Sequence, residues 1–295
     1  MRLVTFESAD GLAGGFLRGE EIVPFKALGG PESVRELIAA DPARREELAT
    51  AATAHASETV ALGSARLGPP VTDPEKILCI GLNYRDHAEE TGMAAPDAPI
   101  VFAKFANSLV GPTDEVVVPP PGGEIDYEAE LAVVIGDRCA RLTPAEAIDH
   151  VFGAMAFNDV SARNLQMSTS QWTMGKAIDT FAPCGPALVS LDEIGDLQDL
   201  KIGASVNGEV VQDGHSASMI FPVAETIAYI SSVMTLEPGD IIATGTPAGV
   251  GMGRKPPLAL EPGDVVEVTV ERIGALRNKI VAEAPVGTAA AAGAL

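Results

Sequence analysis

The chain has 295 residues, enough for one large domain or a large domain with a small companion. It carries 20 Lys and Arg against 41 Asp and Glu, a formal net charge of −21. That balance argues against nucleic acid or an anionic membrane surface as a partner, since both need a basic patch. An apolar fraction of 46% supplies a sizeable core, with no run of 18 apolar residues and no signal-peptide h-region. Cys79, Cys139 and Cys184 are widely spaced with apolar neighbours, and are expected as buried free thiols in a reducing cytoplasm.

Residues 1–72 read as a small α/β module, with strands at 4–6, 14–17 and 21–24 and helices at 33–40 and 43–54. Its His55, in an Ala-rich segment, is expected on the surface. Pro69-Pro70 breaks the chain, so the boundary is placed near residue 72. A larger domain then covers 73–283, and a small-residue tail covers 284–295.

The larger domain opens with an apolar strand at 76–81. A loop follows and turns into a short helix that Gly92 stops. On that helix His87 and Glu90 stand three apart and share a face. A carboxylate beside an imidazole orients it and raises its basicity, the arrangement for activating a water; the same spacing also describes an ordinary surface pair.

Strands at 100–105 and 115–118 lead through a Pro- and Gly-rich loop into Asp126-Tyr127-Glu128-Ala129-Glu130-Leu131-Ala132-Val133-Val134-Ile135-Gly136. The run 131–135 must be a buried strand, yet two carboxylates lead straight into it. Alternation puts Glu128 and Glu130 on one face, roughly 7 Å apart at about 3.3 Å per residue. Like charges so placed are tolerable if solvated, if one is protonated, or if a cation sits between them. Carboxylate oxygens with no Cys or His nearby suit a hard ion such as Mg2+, Mn2+ or Ca2+.

Thr143-Pro144-Ala145-Glu146 starts a short helix, and the helix dipole accounts for His150 at its end. The apolar strand 151–158 ends at Asp159, a candidate third ligand. Residues 160–166 read as helix-like, with Arg163 and Gln166 on the face of Asp159. Lys176, four residues after Trp172, sits on a Gly-flanked loop, either as a solvated cation or as a buried one awaiting an anion. Beyond it come a hairpin at Asn207-Gly208, His215 in a turn, an amphipathic helix over 221–234, and strands at 241–243, 265–271 and 279–282. The Gly-rich loop 244–253 matches neither a P-loop nor a dinucleotide fingerprint, though its backbone N–H groups could hold a carboxylate.

Together these segments resemble the fumarylacetoacetate hydrolase superfamily. The residues that carry the resemblance are Gly81-Leu82-Asn83-Tyr84-Arg85-Asp86-His87-Ala88-Glu89-Glu90, the Asp126-Tyr127-Glu128-Ala129-Glu130-Leu131 run, and Asn158-Asp159-Val160-Ser161-Ala162-Arg163 with Gln166. Gly175-Lys176 with Asp179-Thr180-Phe181-Ala182-Pro183, and Thr244-Gly245-Thr246-Pro247, complete it in the family's order and spacing over residues 76–282. The N-terminal module and Arg254-Lys255-Pro256-Pro257 resemble most the branch of fumarylacetoacetate hydrolase domain-containing protein 2 and bacterial 2,4-diketo-3-deoxy-sugar-acid hydrolases.

The resemblance implies an α+β, β-rich fold with a mixed β-roll or sandwich core and a small N-terminal α/β domain. It also implies a homodimer and a Mg2+ or Mn2+ site held by Glu128, Glu130 and Asp159. In the same way His87 and Glu90 match the family's catalytic dyad, in a segment that orders as a lid. Lys176 is implied in both catalysis and binding, and Arg163, Gln166, Thr246 and Gly245 in contacts to a small anionic 2-oxo acid. Ile80 stands where the eponymous eukaryotic enzyme has an additional acidic ligand, which argues against fumarylacetoacetate itself as substrate.

The implied function is divalent-metal-dependent hydrolysis of the C–C bond of an acylpyruvate or 2,4-dioxo acid through a metal-stabilised enolate. Oxaloacetate decarboxylation, and keto–enol tautomerisation or isomerisation of the 2-hydroxyhepta-2,4-diene-1,7-dioate type, share that enolate and stand as alternatives. A catalytically silent metal-binding protein is the alternative from another class.

Overall fold

A computed structural model of the chain describes residues 1–54 and 58–284. His55 and residues 285–295 of the expected tail lie outside the described residues. The fold is α+β and β-rich. Its central sheet starts with the N-terminal strands Arg2–Ser8, Gly11–Arg18 and Glu21–Pro24. Arg2–Ser8 also pairs with Ala182–Ser190, so residues from both sides of position 72 share one sheet. The path continues through Val151–Asn158, Ala129–Ile135, Ile241–Ala243, Ile77–Gly81 and Ile100–Lys104. Along it, the pairing of Ile241–Ala243 with Ile77–Gly81 is parallel, which makes the sheet mixed.

Ala129–Ile135 is buried along its whole length because both of its faces are covered. Leu131, Val133 and Ile135 pack into a core with Ile202, Val206, Val268 and Leu276 of a second, five-stranded sheet. Ala132 and Val134 point the other way, into a cluster with Val34, Leu37 and Leu48 from the two N-terminal helices Val34–Ala39 and Pro42–Ala54. The second sheet contains the expected hairpin, in which Asn207 and Gly208 take φ of +52° and +86°, as a type I′ turn requires.

Four local expectations change. Residues 160–166 are not one helix: Ser161–Ala162 pairs as a short strand with Ile125–Asp126, and the helix is confined to Arg163–Gln166. A tertiary partner for the backbone there outweighs the local helical pattern. Lys176 lies not on a loop but at the end of a helical turn, Thr173–Lys176. His215 ends the strand Glu209–His215, and its Nδ1 accepts the Ala217 N–H. The amphipathic helix shortens to Val223–Ser231, started by Pro222. The three cysteines are buried and unpaired. Among the described residues no helix is long and apolar enough to cross a membrane.

Candidate active site

The register of two neighbouring strands assembles an acidic cluster. Ala129 lies opposite Asn158 in the antiparallel pair, so the residues just outside it, Glu128 and Asp159, meet at the strand ends. The Asp159 N–H donates to the Glu128 carbonyl at 3.0 Å, and Asn158 Oδ1 accepts the Glu128 N–H at 3.0 Å. Glu130, two residues on, shares the face of Glu128. Glu128, Glu130 and Asp159 are exposed by only 6%, 1% and 0%, so the pair is not a solvated strand edge. One oxygen from each lies within 4.8 Å of the others.

Three cations meet these carboxylates. Lys176 Nζ donates to Glu128 Oε2 and Asp159 Oδ2, both at 2.8 Å. Lys104 Nζ donates to Asp159 Oδ1 at 2.6 Å. Arg163 NH1 lies 2.7 Å from Glu128 Oε1, and its Nε donates to a fourth buried carboxylate, Asp126, at 2.9 Å. Gly175 permits this packing: a Cβ there would stand 2.4 Å from the Gln166 backbone nitrogen.

Glu130 is the acid left without a cationic partner among the described residues; its Oε2 accepts the Gly245 N–H at 2.9 Å. Burial, followed by the charges of Asp159 and Glu128, pushes its carboxyl well above the usual range. Burial also acts to raise Glu128, but the charges of Lys176 and Arg163 outweigh it and hold that carboxyl well below the usual range. Burial opposes the charge on Lys176, yet Asp159 and Glu128 more than offset it and keep the side chain an ammonium.

The cluster fits a metal ion. Four carboxylates against three cations are neutral only with a proton on Glu130. A dication in place of that proton would leave the group at +1, which favours an anionic ligand. The all-oxygen donor set is that of a hard cation.

The other half of the site follows the Ile77–Gly81 strand. Leu82 takes a left-handed φ of +54°, uncommon for a branched residue, and the helix Arg85–Glu90 begins just beyond. Asn83 fixes the turn by donating to the carbonyls of Thr244 at 2.7 Å and Phe221 at 3.0 Å. His87 is buried, and its Nδ1 lies 2.9 Å from Glu90 Oε1. Glu90 Oε2 in turn accepts the Gly249 N–H at 2.8 Å. The carboxylate assigns the proton to Nδ1 and leaves Nε2 as the basic nitrogen.

Both halves open on one small cavity of about 40 Å3, lined by His87, Glu128, Glu130, Arg163, Lys176 and Trp172 among others. Thr91 and Met93, from the same segment as His87, also line it. Trp172 packs edge-on against Phe102 at 5.4 Å, a wall that exists because Gly81 has no side chain: a Cβ there would sit 2.4 Å from the indole.

The structure thus brings His87, Glu90, Glu128, Glu130, Asp159, Arg163, Gln166 and Lys176 together. Gln166 Oε1 accepts from Arg163 NH1 at 2.9 Å. Thr246 lines the cavity, and its hydroxyl donates to the Ala129 carbonyl and accepts from Gln212. Gly245 positions Glu130 and does not line the cavity. The carboxylate expected at the Gly-rich loop is the chain's own: Gly249 holds Glu90, while Gly251 and Met252 donate to Asp126 at 2.7 and 3.0 Å.

Sequence reasoning missed two residues. Lys104 showed only as a lone charge ending an apolar strand, and Asp126 as the first acid of the central run. Arg163 NH2 stands 2.8 Å from Asp126 Oδ2 as an ion pair, whereas the Tyr84 hydroxyl is buried without a hydrogen-bond partner among the described residues.

A family model described as the fumarylacetoacetate (FAA) hydrolase C-terminal region matches residues 76–281. A human mitochondrial oxaloacetate tautomerase is 50% identical over 214 residues, 72% of this chain and 68% of that protein. Two solved structures superpose over 96% of the chain. One is a 2-hydroxyhepta-2,4-diene-1,7-dioate isomerase from Mycobacterium marinum, with 34% identity, 99% of that chain covered and a TM-score of 0.75. The other is a maleylpyruvate hydrolase from Sphingobium, with 31% identity, 100% covered and a TM-score of 0.81.

Proposed function

Because the chain belongs to the fumarylacetoacetate hydrolase family and is an enzyme of it, we propose that it interconverts the keto and enol forms of a small 2-oxo diacid of the oxaloacetate type. The reading rests on one observation above all. His87 is locked by Glu90 at 2.9 Å, and it faces the same enclosed cavity as Glu128, Glu130 and Lys176. A base facing a buried ammonium and a carboxylate cluster able to hold a cation suits removal of a proton next to a carbonyl.

Glu128, Glu130 and Asp159 would hold Mg2+ or Mn2+, which when bound supplies Lewis-acid polarisation of the 2-oxo group. His87 Nε2 takes the proton from C3 of the substrate, and Glu90 stabilises the imidazolium that results. Lys176 spends two of its three N–H donors on Glu128 and Asp159, which leaves one for the oxygen on which enolate charge develops. Arg163, which lines the cavity, offers its positive charge to the substrate carboxylate. Return of the proton from His87 to C3 restores the ketone, whereas uptake of a solvent proton at the oxygen, with release of the His87 proton to solvent, gives the enol.

Hydrolysis of an acylpyruvate is the second reading. The same dyad can activate a water for attack on a distal carbonyl, and the likeness to a maleylpyruvate hydrolase supports it. The test is a turnover screen with Mg2+ over oxaloacetate, followed by enol absorbance, and acetylpyruvate, followed by loss of the 2,4-dioxo absorbance. Wild type is expected to act on oxaloacetate and His87→Ala to lose that activity. Turnover of neither compound with Mg2+ or Mn2+ would overturn the proposal.

A further inference from the structure

The catalytic cluster occupies one end of the Ala129–Ile135 strand. A second group of metal-ligand side chains stands past the other end, beyond about 17 Å of strand from Glu130 to Ile135. Asp137, Cys139 and His150 each place one donor atom within 4.8 Å of the other two. They come together because the strands on either side, Ala129–Ile135 and Val151–Asn158, are paired, with Ile135 opposite Val151. The Gly136 N–H donates to the His150 carbonyl at 2.8 Å, and His150 Nδ1 is paired with Asp137 Oδ1. Cys139 is pinned separately, by N–H to carbonyl bonds with Leu236 in both directions at 3.0 and 2.9 Å. Cys139 and His150 therefore hang from backbone that is already hydrogen-bonded, and Asp137 directly follows the bonded Gly136.

We infer that Asp137, Cys139 and His150 form a second metal site, selective for Zn2+ and distinct from the acidic cluster. One carboxylate oxygen, one sulfur and one imidazole nitrogen make a borderline-soft donor set. Such a set suits tetrahedral Zn2+ with water in the fourth position, and it is a poor match for Mg2+. The three residues differ in access in the way a rim site needs. Cys139 is 6% exposed and forms the floor, while the side chains of His150 and Asp137 are 27% and 58% exposed and leave the fourth position open. The surrounding charge also favours a cation. Asp137, Asp240 and Glu237 place negative charge around the sulfur, and Arg138, bound to Glu237, and Lys76, 2.8 Å from Asp240, offset only part of that. On binding, the Cys139 thiol gives its proton to solvent and the thiolate bonds the ion. The ion would tie the start and end of the connection from 136 to 150 to the segment that carries Leu236, as a structural clamp.

The test uses the full chain, stripped with a chelator and then given excess Mg2+ to fill the acidic cluster. Zn2+ is titrated in competition with a chromophoric chelator, and Cd2+ is added separately to read thiolate-to-metal charge transfer in the ultraviolet. One Zn2+ per chain is expected to bind despite the Mg2+, and Cd2+ is expected to give a thiolate band. Cys139→Ser should abolish that band. His150→Gln should weaken Zn2+ by at least about tenfold, and Glu130→Gln should change neither. A Cd2+ complex of the wild-type protein with no thiolate band overturns the inference without any variant having to fold. So does Zn2+ binding that stays equally tight in Cys139→Ser, or that is lost in Glu130→Gln.

Discussion

Replacing Lys176 with Met tests the accounting of charge in the acidic cluster. The Lys176 side chain is 2% exposed and its Nζ lies 2.8 Å from both Glu128 Oε2 and Asp159 Oδ2. Removing one partner of a buried ion pair commonly costs about 3–5 kcal/mol. Here the lower figure applies, because Glu128 keeps Arg163 at 2.7 Å and Asp159 keeps Lys104 at 2.6 Å. At about 2–4 °C per kcal/mol for a chain of this size, a loss of about 3 kcal/mol lowers the melting temperature by roughly 6–12 °C in chelator. A divalent ion restores the missing charge, so most of that loss should disappear in Mg2+. The variant should also bind the ion more tightly, by about tenfold for each 1.4 kcal/mol of repulsion removed, while turnover falls. Thermal melts in chelator and in Mg2+, with calorimetric titration of Mn2+, measure both quantities. An equal loss of stability with and without the ion, or weaker ion binding, would refute the idea that Lys176 and the ion share these carboxylates.

Three further outcomes follow from the same geometry. Glu130 has its carboxyl raised by burial and by Asp159 and Glu128, so the folded state holds a proton that the unfolded state releases near its ordinary value of 4.5. Stability of the ion-free protein should therefore fall as pH rises above that value, by at most about 1.4 kcal/mol per pH unit. Melts from pH 5 to 8 check this, and both Glu130→Gln and added Mg2+ should flatten the slope. Gly253→Ala would put a Cβ 2.8 Å from the Glu90 carboxyl carbon and push the carboxylate off His87. Turnover should drop by about tenfold or more with little change in melting temperature, and unchanged turnover would deny Glu90 its positioning role. Burial pushes the thiols of Cys79 and Cys184 well above their ordinary value, so neither should react with a disulfide reagent at pH 8 until denaturant is added.

Local pattern carried much of the site. The alternation at 128–135, the i, i+3 placement of His87 and Glu90, and an acid ending the strand at 159 are all short-range features. Together with a family resemblance they were enough to nominate the ligands and the dyad. Lys104 and Asp126 escaped notice because their partners are remote in sequence: Asp159 is 55 positions from Lys104, and Arg163 is 37 from Asp126. Gly245 and Thr246 were read as substrate contacts; the Gly245 N–H holds Glu130, and the Thr246 hydroxyl holds Ala129 and Gln212 while its residue lines the cavity.

Strand faces, turn types and the order of chemical groups depend on a few neighbouring residues, so the amino-acid sequence settles them. The state of the four acids does not work that way. Whether Glu130 holds a proton, whether Glu128 stays ionised, and whether Lys176 is solvated or shared between two carboxylates depend on burial and on distances under 3 Å between separate segments. Desolvation and Coulomb attraction act through space, and only the packed sheet decides which charges end up side by side.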